Sequence, residues 1–218
     1  MSLSRKLLIC CLIMVPILVI AYFIYDHGSV FADTFGVEKG AIGRDTYYLK
    51  LNDNRFKTRF VLSTKEKNAK DRAFELVKYN LIGAKERLEL SGFEQICSLE
   101  DHYLIDGTDY LFFLGDVGAH SRNLEAVKVT SNGMAGAVFQ KDGTTTGSIV
   151  SDLPKFDFQQ DQNGLDILVY NRDYDHDPLK NYLVDKYVLK NGLFEFSGES
   201  KALANEENQP DSRAGGIK

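Results

Sequence analysis

The stretch whose reading decides the fold class is residues 63–90, STKEKNAKDRAFELVKYNLIGAKERLEL. Phe74, Val77, Leu81, Ala84 and Leu88 recur in it at steps of three and four, the spacing that lines one face of an α-helix. Lys65, Lys67, Lys70, Asp71, Lys78 and Lys85 are left for solvent. Ser63 and Glu66 stand at capping-box spacing, where a hydroxyl and a carboxylate satisfy free N–H groups at a helix start. Gly83 costs such a helix about 1 kcal/mol relative to Ala, and Gly92 is placed for a left-handed C-cap. The pattern predicts an amphipathic helix packed on a sheet, in preference to a partner-binding helix.

On either side the text is that of strands. Before it, Tyr47, Leu49 and Leu51 alternate with Tyr48 and Lys50, and Phe56, Phe60 and Leu62 follow across the Asn52-Asp53-Asn54 turn, which predicts a first strand pair. After it, residues 93–196 are short apolar runs broken by Asp106-Gly107, Asn132-Gly133, Asp142-Gly143 and Asn191-Gly192. Such dipeptides favour the positive φ angles of tight hairpins. Residues 110–114 form a nearly continuous apolar strand; Val127 and Val129 alternate with Lys128 and Thr130; residues 187–189 and 193–196 flank the last turn. The expected fold class is therefore α+β: one mainly antiparallel β domain over 44–198 with one amphipathic helix on its sheet.

Further out lies residues 7–25, LLICCLIMVPILVIAYFIY, an unbroken apolar run with Arg5 and Lys6 before it and Asp26 after it. About 20 apolar residues at 1.5 Å rise cover the ~30 Å core of a bilayer, so a single transmembrane helix is expected here. Pro16 does not overturn this, because spans tolerate Pro where local adjustments satisfy the freed carbonyl. The positive-inside bias keeps residues 1–6 cytoplasmic and sends the rest across, to the periplasm or the cell exterior. The alternative is a signal peptide cleaved near Ala32, after Val30-Phe31-Ala32, which releases a secreted domain; the run is longer than a signal peptide needs. Residues 26–43 read as a tether and 199–218, with almost no apolar content, as a disordered tail.

Lys and Arg number 26 against 31 Asp and Glu, for a net charge of −5, and two of the cations, Arg5 and Lys6, belong to the anchor. The remaining surface is acidic, which argues against nucleic acid and against anionic lipid as partners. Cys97 is the only cysteine beyond the apolar run, so no internal disulfide is available and a buried structural thiol is expected. Trp is absent, which weakens carbohydrate binding without excluding it.

The densest polar feature is 152–177, where Asp152, Asp157, Asp161, Asp166, Asp173, Asp175 and Asp177 face few cations. Hard cations want several oxygen ligands at alternating positions of a tight loop. Asp161, Asn163 and Gly164 fit three places of a helix-loop-helix calcium loop, but Gln159 holds its first place and Tyr170 its closing one. In a second register, residues 161–169, DQNGLDILV, resemble a shortened form of the acidic loop-then-strand of integrin-type FG-GAP repeats, over too few residues to assign a family. Asp173-Tyr174-Asp175-His176-Asp177 adds alternating carboxylates. The preferred reading is a solvated acidic hairpin. Its alternative is a weak calcium site built from Asp161, Asn163, Asp166, Asp173, Asp175 and Asp177.

Residues 115–122, GDVGAHSR, alone gather an acid, a base and a nucleophile behind an apolar strand. His120 and Ser121, as neighbours, would point to opposite faces of a strand, and no nucleophile-elbow, zinc-helix or phosphate-cradling motif occurs. An ordinary polar loop is the preferred reading there. His27, His102 and His176 lack the paired spacing of a transition-metal site. The functional expectation is a membrane-anchored extracytoplasmic binding or assembly module, with the membrane and an envelope or cell-surface protein as partners. Its rivals are a membrane-tethered hydrolase using the 115–122 loop and a structural envelope component.

Overall fold

Residues 72–79 and 85–90 are strands, and so is every other regular element in the computed structural model, which describes residues 41–52, 57–66, 72–79, 85–131, 133–161, 164–176 and 181–203. The described part is all-β, and the expected α+β class is corrected accordingly. The transmembrane expectation over 7–25 and the cleavage site near Ala32 lie outside the described residues.

Sheet A is a four-stranded antiparallel meander of β1 (Ala41–Lys50), β2 (Lys57–Glu66), β3 (Arg72–Tyr79) and β4 (Lys85–Leu90). The described residues of the helix expected over 63–90 thus lie in three strands, with Leu81, Gly83 and Ala84 outside the described residues, and the reason lies in burial on both faces. Phe74 and Leu76 turn toward the next sheet, while Val77 and Tyr79 are buried on the opposite face with Val61. Two interleaved period-two patterns, each with its own apolar residues, leave spacings of three that imitate a helix. Lys65 and Lys78, expected on a wet helical face, pair across strands instead: Lys65 and Arg87 both reach Glu75, at 3.1 and 2.7 Å, and Lys78 reaches Glu86 at 3.1 Å, while Lys67, Lys70 and Asp71 lie outside the described residues. Ser63, expected as a helix cap, is buried in β2 opposite Glu75. The expected first strand pair is present, with Tyr47 opposite Phe60.

Sheet B follows the order β11-β7-β6-β5, built from β5 (Cys97–Ile105), β6 (Thr108–Val117), β7 (Ser121–Thr130) and β11 (Ser148–Ser151). β8 (Gly133–Gly136) pairs β7 beyond the end of β11, and the Ala137 N–H donates to the Ala126 carbonyl at 2.7 Å between them. Sheet C follows the order β10-β9-β15-β14-β13-β12, from β9 (Val138–Lys141), β10 (Thr144–Thr146), β12 (Phe156–Asp161), β13 (Gly164–Arg172), β14 (Asn181–Lys190) and β15 (Leu193–Leu203). All described pairings are antiparallel except β15 with β9. Strand β15 extends through Leu203, into the span expected as a tail.

Hairpin chemistry is where three of the four turn dipeptides put it; Asn132 of the fourth lies outside the described residues. Asp106 and Gly107 have φ of 48° and 76°, Asp142 and Gly143 50° and 78°, Asn191 and Gly192 52° and 78°. Two successive positive φ angles are the demand of a type I′ turn, whose twist matches the flanking strands.

Sheet B is the middle layer. The even face of β6, with Tyr110, Phe112 and Leu114, packs with Leu124, Ala126 and Ile149 against Phe139, Leu165, Ile167, Val169, Tyr187 and Phe194 of sheet C. Its odd face, with Leu111 and Phe113, packs with Val127 and Val129 against Phe60, Leu62, Phe74 and Leu76 of sheet A. A strand in a layer covered on both sides has no polar alternation to show, which is why β6 is a continuous apolar run. Cys97 lies buried in the A–B core, where burial first, then the charges of Glu125 and Asp45, push its thiol pKa well up. It is a structural thiol of low reactivity.

Candidate ligand cleft

Of the residues expected to hold calcium, those the structure describes are divided between the two ends of β13 by the register of sheet C. Asp161 closes β12 opposite Gly164, and Asp166 sits near that hairpin, opposite Gln159. Asp173 lies just beyond the other end of β13, seven residues on, so at about 3.3 Å per residue roughly 23 Å separates it from Asp166. Asn163 and Asp177 lie outside the described residues. Asp166 pairs with the Lys186 ammonium at 2.5 Å. Asp173 is only 2% exposed, so it is no member of a solvated loop. It accepts the Asp175 N–H at 3.2 Å, holds His176 Nδ1 at 2.8 Å and faces Lys201 at 3.6 Å. Burial pushes its carboxyl upward, but the His176 bond and charge, Lys201 and the Asp175 N–H outweigh this and hold its pKa below the usual range. Asp173 therefore acts as the organiser of a turn that leaves Tyr174, Asp175 and His176 exposed. Among the described residues no group of three or more His, Cys, Asp and Glu is gathered to hold a metal.

The 115–122 segment is the β6–β7 hairpin. Asp116 faces Arg122 across it, at 3.5 Å, and its backbone is fastened to Glu94 and Ile96. His120 is exposed in the turn. Of the histidines, His102 is held on β5, with Nε2 2.7 Å from Asp109 Oδ1, while the other oxygen of Asp109 accepts the Asn52 N–H at 2.9 Å. That cluster ties the β1–β2 turn to sheet B.

Two pockets lie at sheet margins. One, of about 240 Å3, opens beside Glu125 between β4 and β7 and is lined by Leu88, Leu90, Val127 and Ser148 among others. Glu125 Oε1 already accepts the backbone N–H groups of Ser91 and Gly92, at 3.1 and 2.5 Å. Burial raises its pKa despite these two bonds. Its carboxylate fastens sheet A to sheet B.

The other, of about 250 Å3, is a cleft between the β9–β10 hairpin, β11 and the inner face of sheet C. Lys141 opposes Thr144 and Phe139 opposes Thr146, so all four share the hairpin face that forms one wall. Ser148, Ile149 and Val150 of β11 supply a second wall, and Val169, Asp185 and Tyr187 the floor. The Lys141 ammonium crosses the Phe196 ring, 4.3 Å from its centroid, to reach Asp185 Oδ2 at 2.6 Å. Asp185 is 6% exposed, and its other oxygen, Oδ1, is buried without a hydrogen-bond partner. Burial first, then the charges of Asp185 and Asp142, push the Tyr187 hydroxyl up to about 12, so it stays a neutral phenol at physiological pH. Beside the cleft the register slips between Lys186 and Tyr187, where Ser197 is the extra residue opposite. A bulge of this kind re-aims neighbouring side chains.

Asp185 and Lys141 are the residues that sequence patterns passed over. The signal was present: Asp185 stands at the parity of Leu183, Tyr187 and Leu189 in an apolar strand, a charge where the core face should be. Lys141 lies 44 residues away in the chain, and no local pattern brings the two together. Set against models of known protein families, curated proteins and solved structures, the chain matches none.

Proposed function

We propose that this chain is a membrane-tethered binding module, anchored by residues 7–25 with its β domain on the extracytoplasmic side, and that its ligand enters the Asp185–Lys141 cleft. The observation that carries the reading is a cleft of about 250 Å3 lined by the paired Lys141 and Asp185 with Thr144, Thr146 and Ser148. Catalysis would ask for a nucleophile held against a base that is itself oriented. In the 115–122 hairpin Asp116 is engaged with Arg122, and no hydrogen bond joins it to His120 among the described residues. The net charge of −5 disfavours nucleic acid as a partner.

Two measurements on the full chain test this. Protease added outside sealed cells or spheroplasts is expected to degrade the region after Asp26; complete protection of that region refutes the orientation. The melting temperature of the detergent-purified protein is expected to rise when the small-molecule fraction of its native medium is added, and Asp185→Asn is expected to remove the rise. A wild-type protein indifferent to that fraction would favour the structural envelope component instead.

A further inference from the structure

We infer that residues 26–40, the segment between the apolar run and β1, dock across the outer face of sheet A and close it, instead of serving as a free tether. Burial comes first. On that face, turned away from sheet B, Val77 is 0% exposed and Val61 and Arg59 1% each, with Ser63 and Tyr79 also buried. Val61, Val77 and Tyr79 form a core cluster to which no described residue of another sheet contributes. Neighbours within one sheet shield the flanks of a side chain and leave its outward end to solvent, so a further layer covers these positions. The cover is narrow. Tyr48 of β1 and the Arg87 side chain of β4, on the same face but one strand further out on either side, are 39% and 44% exposed. What is sealed is the pair of central strands, β2 and β3, the width of a single segment and not of a partner domain or a bilayer.

Place and chemistry choose the occupant. Residues 204–218 leave sheet C after Leu203, with sheet B between them and this face. The connections 67–71 and 80–84 join hairpin partners at strand ends, whereas Val61 lies mid-strand, between Thr46 and Val77. Residues 26–40 end where β1 begins, at Ala41 on the edge of sheet A, five positions before Thr46. That is roughly 17 Å along the strand, against roughly 50 Å of reach for the extended segment. Its apolar residues Val30, Phe31, Phe35 and Val37 suit the patch of Val61, Val77 and Tyr79. Its charge suits the surroundings. Asp26, Asp33 and Glu38 outnumber Lys39, while the register puts Arg44, Lys50, Lys57 and Arg59 on the face, beside Glu89 and the Glu75 that Lys65 and Arg87 share. With residues 7–25 as the anchor, this docking stands sheet A next to the bilayer and the sheet C cleft in the far layer. That consequence rests on the membrane reading; the docking itself does not.

The test uses the full chain in detergent. Hydrogen exchange of the wild type is expected to show the amides of residues 30–37 slowed roughly tenfold or more relative to a synthetic peptide of residues 26–40. Val77→Cys sets a small thiol under the cover, and mass spectrometry follows its labelling by a maleimide, with the buried Cys97 as internal control. Labelling at position 77 is expected to be slow, and to quicken roughly tenfold or more when Phe31→Asp and Phe35→Asp are added, with Cys97 still protected. Amides of 30–37 that exchange at the peptide's rate overturn the inference. So does labelling at position 77 that ignores the Phe31 and Phe35 changes, which gives the face to another segment. Labelling that slows only as protein concentration rises, or only when anionic vesicles are added, gives it to a second copy or to a lipid surface and overturns the inference equally. If Cys97 is labelled together with position 77, the triple variant has unfolded and the wild-type exchange decides.

Discussion

The two faces of sheet B meet their neighbours differently. Toward sheet A the packing is mostly aliphatic, with Leu111, Val127 and Val129 against Leu62 and Leu76, and one edge-on ring pair of Phe74 with Phe93 at 6.0 Å. Toward sheet C it is a run of rings: Phe112 lies 4.9 Å from Phe158, 5.8 Å from Phe194 and 5.9 Å from Tyr103, and Phe139 stacks on Phe194 at 5.1 Å. Buried acids stand on both sides. Glu125, on the A side, accepts two backbone N–H groups at Oε1, whereas Asp185, on the C side, is held at Oδ2 by the Lys141 side chain. A carboxylate bound to backbone is a fastening that moves only with the fold.

The largest effect should come from the ring cluster. Phe112→Ala is expected to lower the unfolding free energy by about 3–5 kcal/mol, and to exceed its neighbour on the other face, Leu111→Ala, because each lost ring pair adds about 0.5–1.5 kcal/mol to the cavity cost. Denaturant unfolding of both variants checks this, and a larger loss at Leu111 would reverse the ranking of the faces.

Next is the fastening itself. A Cβ on Gly92 would lie 1.9 Å from Asn123 Nδ2 and 2.6 Å from Glu125 Oε1, so Gly92→Ala must displace both side chains that tie Ser91 and Gly92 to sheet B. A loss of about 1–3 kcal/mol is expected, against almost none for Gly136→Ala, where a Cβ meets nothing within 4 Å. Equal unfolding midpoints for the two alanine variants would deny Glu125 its fastening role.

The smallest effect is in pH. Because burial raises the Glu125 pKa in the folded protein, the native state keeps this proton while the unfolded chain loses it near the ordinary 4.5. The stability associated with protonated Glu125 is full below that value and is lost as pH rises through the raised folded pKa. Wild type should therefore fall in stability relative to Glu125→Gln as pH goes from 4 to 8. A difference that is flat, or that grows in favour of wild type, would show that the two N–H bonds outweigh burial.

Strand existence over 93–196 was legible because local chemistry sets it. Asp106-Gly107, Asp142-Gly143 and Asn191-Gly192 accept positive φ wherever they occur, and the apolar runs between them need no distant residue to be recognised. The Cys97 setting was legible for the same reason. Residues 63–90 were not, because their periodicity depends on what covers each face. With Phe74 and Leu76 under sheet B and Val77 and Tyr79 buried on the other side, two strand patterns overlay into one that a helix would share.

The candidate site divides along the same line. Sequence alone determined the apolar run at 7–25, the acidic balance, the hairpin turns and Cys97 as the sole cysteine beyond that run, all properties of composition or of a few adjacent residues. Only the tertiary structure decided that Asp166 and Asp173 stand at opposite ends of one strand, and that Lys141 meets Asp185 across β15. Register and sheet order settle such distances, and they follow from which faces bury together, a property of the whole chain that no short stretch carries.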